Sequence, residues 1–371
     1  MIVRGARVFG EPGFEAGDIF IDGELISDKD CGGGIIDASG LLAVPGLIDI
    51  HLHGCVGSEF AAASDDGLKA MARYEAANGV TAVCPATPTL PEDALAESCR
   101  RISRFGTPGG AAFAGIYLEG PFISPEKSGA LNPAYAQKPD AALFRRLQSA
   151  SGGMVKVLAV APELEGAISV ISEIRDDVVC SVAHTAADYE TARLAFAAGA
   201  RQVTHLFNAM PGFHHREPGV IGAASDAPEC QAELICDGTH VHPSAVRAAF
   251  RLFGGDRVLM VSDSMMATGL GDGEYEIGGL PVSVRGGRAT LAQGGALAGS
   301  TTNLTGCLRA AVRDMGIPIH TAVKCATVNP AKAIGVFSER GSLDAGKLAD
   351  IVLLDGGLNV KQVILRGTPL M

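Results

Sequence analysis

The sequence predicts an α/β fold: a closed (β/α)8 barrel of the TIM type, carrying a small β-sandwich domain formed by both termini. Three observations predict it. From residue 47 onward, eight apolar runs alternate with amphipathic helical stretches. Both chain ends instead carry short segments of alternating polarity. The length, 371 residues, suits one such barrel with an accessory layer.

Residues 1–45 supply the first part of the β-sandwich through MIVRGARVF, DIFIDGELI and GIIDASGLLAV. The barrel occupies 46–336. Its expected strands are LIDIHLHG (47–54), GVTAVCPAT (79–87), AFAGIYLEG (112–120), VKVLAVAPE (155–163), VVCSVAHT (178–185), QVTHLFNAM (202–210), CQAELICDG (230–238) and RVLMVSDS (257–264). Helices lie between them, among them 65–78, 91–105 and 187–199. Nearly continuous apolar strands separated by helices describe a parallel sheet covered on both faces. An open doubly wound sheet would carry a glycine-rich dinucleotide turn after its first strand, and HLHGCVGSEF does not fit that pattern. The segment 274–291 reads as a hairpin inserted after strand 8, and two helices follow near 301–315 and 319–334. Residues 337–371, with KLADIVLLD and VKQVILRG, return to complete the β-sandwich.

Composition narrows the partners. Hydrophobic residues make up 47% and charged residues 19%, a globular balance. No segment approaches the ~20 apolar residues of a membrane span, and the N-terminus lacks a signal-peptide core, so a cytoplasmic protein is expected. A net charge of −11 argues against nucleic acid and anionic membranes while leaving an anionic small substrate open. Nine scattered cysteines without a CxxC pair read as reduced thiols filling core space.

The chemistry concentrates at strand ends. His51 and His53 alternate on strand 1 and therefore face the same way. An isolated HxH is more often incidental, but this pair sits at the C-terminal end of a barrel strand, where barrel enzymes keep their sites. Glu119 ends strand 3, His184 ends strand 5, His205 lies in strand 6 and Asp263 ends strand 8. Each alone reads as a satisfied core or capping residue. Together, four imidazoles and two carboxylates on one rim are costly to bury unless a cation partners them. Imidazole and carboxylate donors favour Zn²⁺ and also accept Fe²⁺, Mn²⁺ or Co²⁺. The count allows two ions, one on His51, His53 and Asp263 and one on His184 and His205, with Glu119 bridging; one ion or two stays open.

PGLIDIHLHG, LEGPF, AHT, THLFNAM, REPG, DGTH and SDS occur in this order. This chain resembles the N-acetylglucosamine-6-phosphate deacetylases of the amidohydrolase superfamily, over about residues 41–335 and in the flanking β-domain. The resemblance implies deacetylation of N-acetyl-D-glucosamine 6-phosphate in amino-sugar catabolism. Galactosamine 6-phosphate and N-acyl-amino-acid substrates are the alternatives. It implies a role for Glu119 like that of the carboxylated lysine of other amidohydrolases. Lys156, the one candidate for such a lysine, sits too early in strand 4 and reads as structural. Asp263 is implied as the general base that takes a proton from the attacking water and returns it to the leaving amine. Arg216 and His240 are implied phosphate contacts, with Ala130 and the backbone N–H groups of Asn208 and Ala209 nearby. Arg216 would reach the neighbouring subunit's site, so a homodimer is expected. His214 and His215 read as loop residues.

One position departs from the family. Leu131, in SGALNP, stands where some relatives carry a histidine that polarises the substrate carbonyl, and an aliphatic side chain donates no hydrogen bond. A second ion would replace it as the carbonyl's Lewis acid, or the substrate is shifted. The stretch 291–304 reads as a connector in preference to a loop over the sugar, and Asn329-Pro330 as a helix-terminating turn. A cyclic amidase would need a lysine at the strand 4 rim. A degenerate barrel kept for assembly would have shed metal ligands that are all present here.

Overall fold

The computed structural model describes residues 1–11, 13–106 and 109–370. Its centre is a nearly closed barrel of eight parallel strands: β1 (Leu47–Leu52), β2 (Val80–Thr87), β3 (Ile116–Phe122), β4 (Val155–Val160), β5 (Val179–Val182), β6 (Gln202–Val203), β7 (Gln231–Ile235) and β8 (Val258–Val261). Neighbours pair in chain order, as in Val157 with Val179 and Leu234 with Met260. β8 and β1 meet without a regular ladder. Three backbone–backbone bonds close that edge: the Asp263 N–H donates to the His51 carbonyl (2.9 Å), and the His53 and Gly54 N–H groups donate to the Ser264 carbonyl (2.7 and 3.1 Å).

The apolar runs become strands because each buries side chains on both faces. Ile48, Ile50, Ala82, Tyr117, Val157 and Leu259 fill the interior, and Ala331 and Ile334 join that core cluster. Leu47, Val83, Leu118, Leu158 and Val182 face the surrounding helices. Those helices carry recognisable caps. Ser64 accepts from the Gly67 N–H before Asp65–Ala77, and Asp188 accepts from the Thr191 N–H before Tyr189–Ala198.

Both termini build one mixed eight-stranded sheet. Leu42–Pro45 lies parallel to Ile2–Phe9 on one side and antiparallel to Ile351–Leu354 on the other. Alternation serves two cores: Val44, Val352 and Leu354 pack with the main barrel core, while Val3, Ala43, Ile351 and Leu353 form a separate cluster. Gly46 joins this sheet to β1, and a Cβ there would come within 2.0 Å of Thr81 Oγ1.

Several expectations change in detail. Strand 6, expected over 202–210, keeps only Gln202–Val203, because the chain turns at His205, Phe207 and Ala209, all at positive φ. The inserted segment is a three-stranded meander, Gly273–Ile277, Leu280–Arg285 and Arg288–Leu291, not a two-stranded hairpin. The helix expected over 319–334 breaks at Thr327 into Ile319–Ala326 and Val328–Ala333. Asn329-Pro330 therefore lies inside the second piece, where Asn329 donates to the Gly255 and Val258 carbonyls (2.8 Å each) and ties it to the barrel. Eight of the nine cysteines are buried and all are free. Among the described residues, no helix is long and apolar enough to cross a membrane.

Candidate metal centre

β1 and the residue just past it turn His51 and His53 toward Glu119 from β3. Glu119 is the hub. Its Oε1 lies 3.3 Å from His51 Nε2 and 3.1 Å from the Nε2 atoms of His184 and His205; its Oε2 lies 3.1 Å from His53 Nε2. Asp263 Oδ1 lies 3.3 Å from His53 Nε2 and 3.8 Å from His51 Nε2. The structure thus gathers all six side chains, each buried, in two groups. His51, His53 and Asp263 form one, and Glu119, His184 and His205 the other; within each, the donor atoms lie within 4.8 Å of one another.

Four of the six lie past their strand ends: His53 sits one residue beyond β1, and the other three turn sharply. β5, β6 and β8 end before His184, His205 and Asp263, which adopt φ of 41°, 26° and 50°. That left-handed backbone costs on the order of 1–2 kcal/mol per non-glycine residue. It bends each side chain inward from a strand end, which an extended continuation would not do.

The donor set fits a divalent cation. Five imidazole and carboxylate groups packed around Glu119 leave the buried His51 Nε2 without a hydrogen-bond partner, and such donors suit Zn²⁺, Fe²⁺, Mn²⁺ or Co²⁺. The electrostatics agree. Burial opposes charge on His51, but Glu233 and Glu119 outweigh it and hold its pKa well above the usual value. Burial likewise opposes charge on His53, yet Glu119 and Asp263 push it up to about 10. Burial disfavours ionised Glu119, but His51 and His53 bring it well below the ordinary carboxylate range; Asp263 is lowered for the same reason, chiefly by His53. The same carboxylates that favour positive charge on His51 and His53 would favour a cation among them, and cation binding would displace any protons from the ligating nitrogens.

Above the cluster opens a cavity of about 240 Å³, lined by Ala130, Leu131, Asn208, Ala209 and His240 among others. His240 Nδ1 is bound to Asp237 Oδ2 (2.8 Å), and the Thr239 and His240 N–H groups donate to Asp237 Oδ1 (2.9 Å each). Burial opposes charge on His240, and Asp237 overcomes it, raising its pKa. Asp237 was legible only as part of DGTH. The Asn208 N–H, expected to face a ligand, donates instead to the His205 carbonyl (2.9 Å), and its Nδ2 donates to the His205 and Leu206 carbonyls (3.1 and 3.3 Å). Its side-chain carbonyl is what remains to offer. Ala296, Leu297 and Gly299 also line the cavity, so the stretch read as a connector forms one wall. Arg216 stays outside, exposed on a separate depression with His214 and Glu217. Lys156 lies near the start of β4, beside Arg201 and Lys332 and away from the six.

The model of the amidohydrolase family matches residues 42–370. The N-acetylglucosamine-6-phosphate deacetylase of Bacillus subtilis is 36% identical over 330 residues, 87% of this chain and 83% of that one. The chain belongs to the N-acetylglucosamine-6-phosphate deacetylase family of amidohydrolases. Within the same family, the N-acetylgalactosamine-6-phosphate deacetylase of Escherichia coli O157:H7 is 36% identical over 329 residues, 88% of this chain and 87% of that one. A mutant N-acetyl-D-glucosamine-6-phosphate deacetylase from Mycobacterium smegmatis, solved in complex with N-acetyl-D-glucosamine-6-phosphate, superposes with a TM-score of 0.93 at 33% identity, covering 100% of this chain and 98% of that one. Both the barrel and the terminal sheet thus follow the family fold.

Sequence reading missed Glu233. It lies in the apolar run CQAELICDG, at the centre of β7, and is fully buried. A carboxylate in such a run was the available signal, since an unpaired one is costly there.

Proposed function

We propose that this chain hydrolyses the acetamide of N-acetyl-D-glucosamine 6-phosphate, giving acetate and D-glucosamine 6-phosphate in the cytoplasm. The observation that carries the reading is the gathering of six buried donors around Glu119 beneath a cavity that also holds His240. Zinc suits the donors best. One ion would be held by His51, His53 and Asp263 and a second by His184 and His205, with Glu119 reaching both.

The chemistry a divalent cation supplies at such a centre is Lewis acidity toward water and an amide carbonyl. The chain's own residues do the rest. Asp263, held ionised by its imidazole neighbours, takes the proton of the attacking water on its carboxylate and delivers it to the departing amine nitrogen. His240, anchored through Nδ1 on Asp237, presents its other nitrogen to the phosphate. The partner subunit's Arg216 adds a planar fork for the phosphate oxygens. Ala130 and Ala209 bound the sugar, and the Asn208 side-chain carbonyl accepts from a hydroxyl. Leu131, buried in the wall, gives no hydrogen bond to the acyl carbonyl, so a cation held by the six donors would supply that polarisation.

The test compares kcat/KM for N-acetylglucosamine 6-phosphate, its galactosamine epimer and unphosphorylated N-acetylglucosamine. Two charge-assisted contacts to phosphate predict a preference of about a hundredfold or more over the unphosphorylated sugar; equal rates would sink the reading. The galactosamine epimer is the second reading, favoured by the 36% identity to the Escherichia coli O157:H7 enzyme, and faster turnover of it would select that reading. For the dimer, Arg216→Ala and Asp263→Asn subunits are each expected to be impaired alone. Mixing them regains activity, because one site of the hybrid then holds both residues. No recovery in verified hybrids would place Arg216 outside the site.

A further inference from the structure

We infer that Glu233 is a positioning residue for the metal centre, fixing His51 in the tautomer that leaves Nε2 free as a donor to the cation. The inference rests on the reading that the six side chains hold a divalent ion.

Glu233 stands in the barrel wall on β7, fully buried. Its Oε2 lies 2.8 Å from His51 Nδ1 and accepts from the His205 backbone N–H at 3.1 Å; its Oε1 accepts from Gln202 Nε2 at 2.5 Å. An ionised carboxyl can only accept, so this contact calls for the proton on Nδ1. One carboxyl group therefore touches a side chain of the first donor group and the backbone of the second. An imidazole whose Nδ1 carries the proton has its lone pair on Nε2. That atom faces Glu119 and Asp263 and has no hydrogen-bond partner of its own. The ring is clamped from a second side by Tyr117, stacked at 4.3 Å and 26°. The Tyr117 hydroxyl bonds Thr204 Oγ1 (2.7 Å), which also bonds Ser181 Oγ (2.6 Å).

The other three imidazoles differ. His184 Nδ1 rests on the Lys127 carbonyl at 2.9 Å, and the Nδ1 atoms of His53 and His205 have no partner among the described residues. Among the described residues, His51 alone of the four has a carboxylate hydrogen-bonded to its Nδ1. It is also the residue from which removing that support should reach both groups, because Glu233 holds the His205 backbone as well. Carboxylate support behind a ligating histidine raises its basicity and fixes its orientation, and losing it costs about 10–100-fold in metal affinity.

The experiment titrates Zn²⁺ into chelator-stripped protein against a chromophoric competitor, for the wild type and Glu233→Gln. The visible spectrum of the Co²⁺ form serves as a second readout, and the thermal melt of the metal-free protein reports the fold. We expect affinity to fall about 10–100-fold in Glu233→Gln, with an altered Co²⁺ spectrum and a metal-free melt close to wild type. Unchanged affinity and spectrum would overturn the inference, whatever happens to the melt. Should Glu233→Gln fail to fold, Gln202→Met keeps the carboxylate and removes the donor that steadies Oε1; a several-fold loss of affinity supports the inference and wild-type affinity overturns it. Wild-type protein that binds no ion would instead refute the metal reading itself.

Discussion

Glu119 and Glu75 are both buried glutamates of one barrel protein, and their neighbours drive them in opposite directions. Glu119 lies within β3 among four imidazole nitrogens at 3.1–3.3 Å, which hold it far below the ordinary carboxylate range against the cost of burial. Glu75 sits on the inner face of Asp65–Ala77, fully buried. Neither of its oxygens has a strong hydrogen-bond partner, and the Cys55 thiol beside it is a weak donor. Burial pushes Glu75 up to about 8, and the nearby Asp49 adds to the rise. A buried carboxyl therefore says little until its neighbours are named. Surrounded by donors it marks a charged site; surrounded by carbon it stays protonated and acts as a polar filler.

The sharpest way to break this contrast is to neutralise the hub. Glu119→Gln removes the one group shared by both donor sets, so turnover should fall on the order of 10³-fold or more, and bound ion measured by atomic absorption should fall with it. Retention of ion and turnover would make Glu119 as passive as Glu75.

Neutralising Glu75 should do the reverse and stabilise the fold. In the unfolded chain its carboxyl ionises above the ordinary glutamate pKa, whereas the folded protein keeps it protonated until about 8. Stability is therefore lost progressively as pH rises between those two values and levels off above the upper one. Glu75→Gln lacks this slope. Its advantage over wild type in urea melts should be near zero at about pH 4 and roughly 3–5 kcal/mol at about pH 8.5. A pH-independent difference would place a partner at Glu75 after all.

The smallest effect tests whether the two carboxyls are independent. Chelation should lower stability by about 3 kcal/mol where free ion exceeds its dissociation constant a hundredfold. The drop should agree between wild type and Glu75→Gln within about 0.5 kcal/mol. A larger discrepancy would couple the two through Asp49, whose Oδ1 accepts from the His51 N–H at 3.2 Å.

The same pair explains what was legible in the sequence. The barrel was, because LIDIHLHG or RVLMVSDS can bury both faces only in a covered parallel sheet. The six donors were, because HxH spacing and strand-end positions direct them to one rim. The backbone turns were not. Nothing local to AHT, THLFNAM or SDS announces φ above zero at His184, His205 and Asp263; tertiary convergence imposes it, so strand 6 was read seven residues too long (210 against Val203). Glu75 escaped because a glutamate in DDGLKAMARYEAA looks like one more solvated helix charge. Glu233 escaped because its partners, His51, Gln202 and the His205 backbone, lie 28 to 182 residues away in sequence.

The first and last barrel strands meet at His51–Gly54 and Asp263–Ser264, held there by only three backbone bonds. His51 and His53 approach from one lip of that gap and Asp263 from the other. An ion held by these three is a rivet through the overlap of a hoop. Take it out, and the slack belongs to the whole ring.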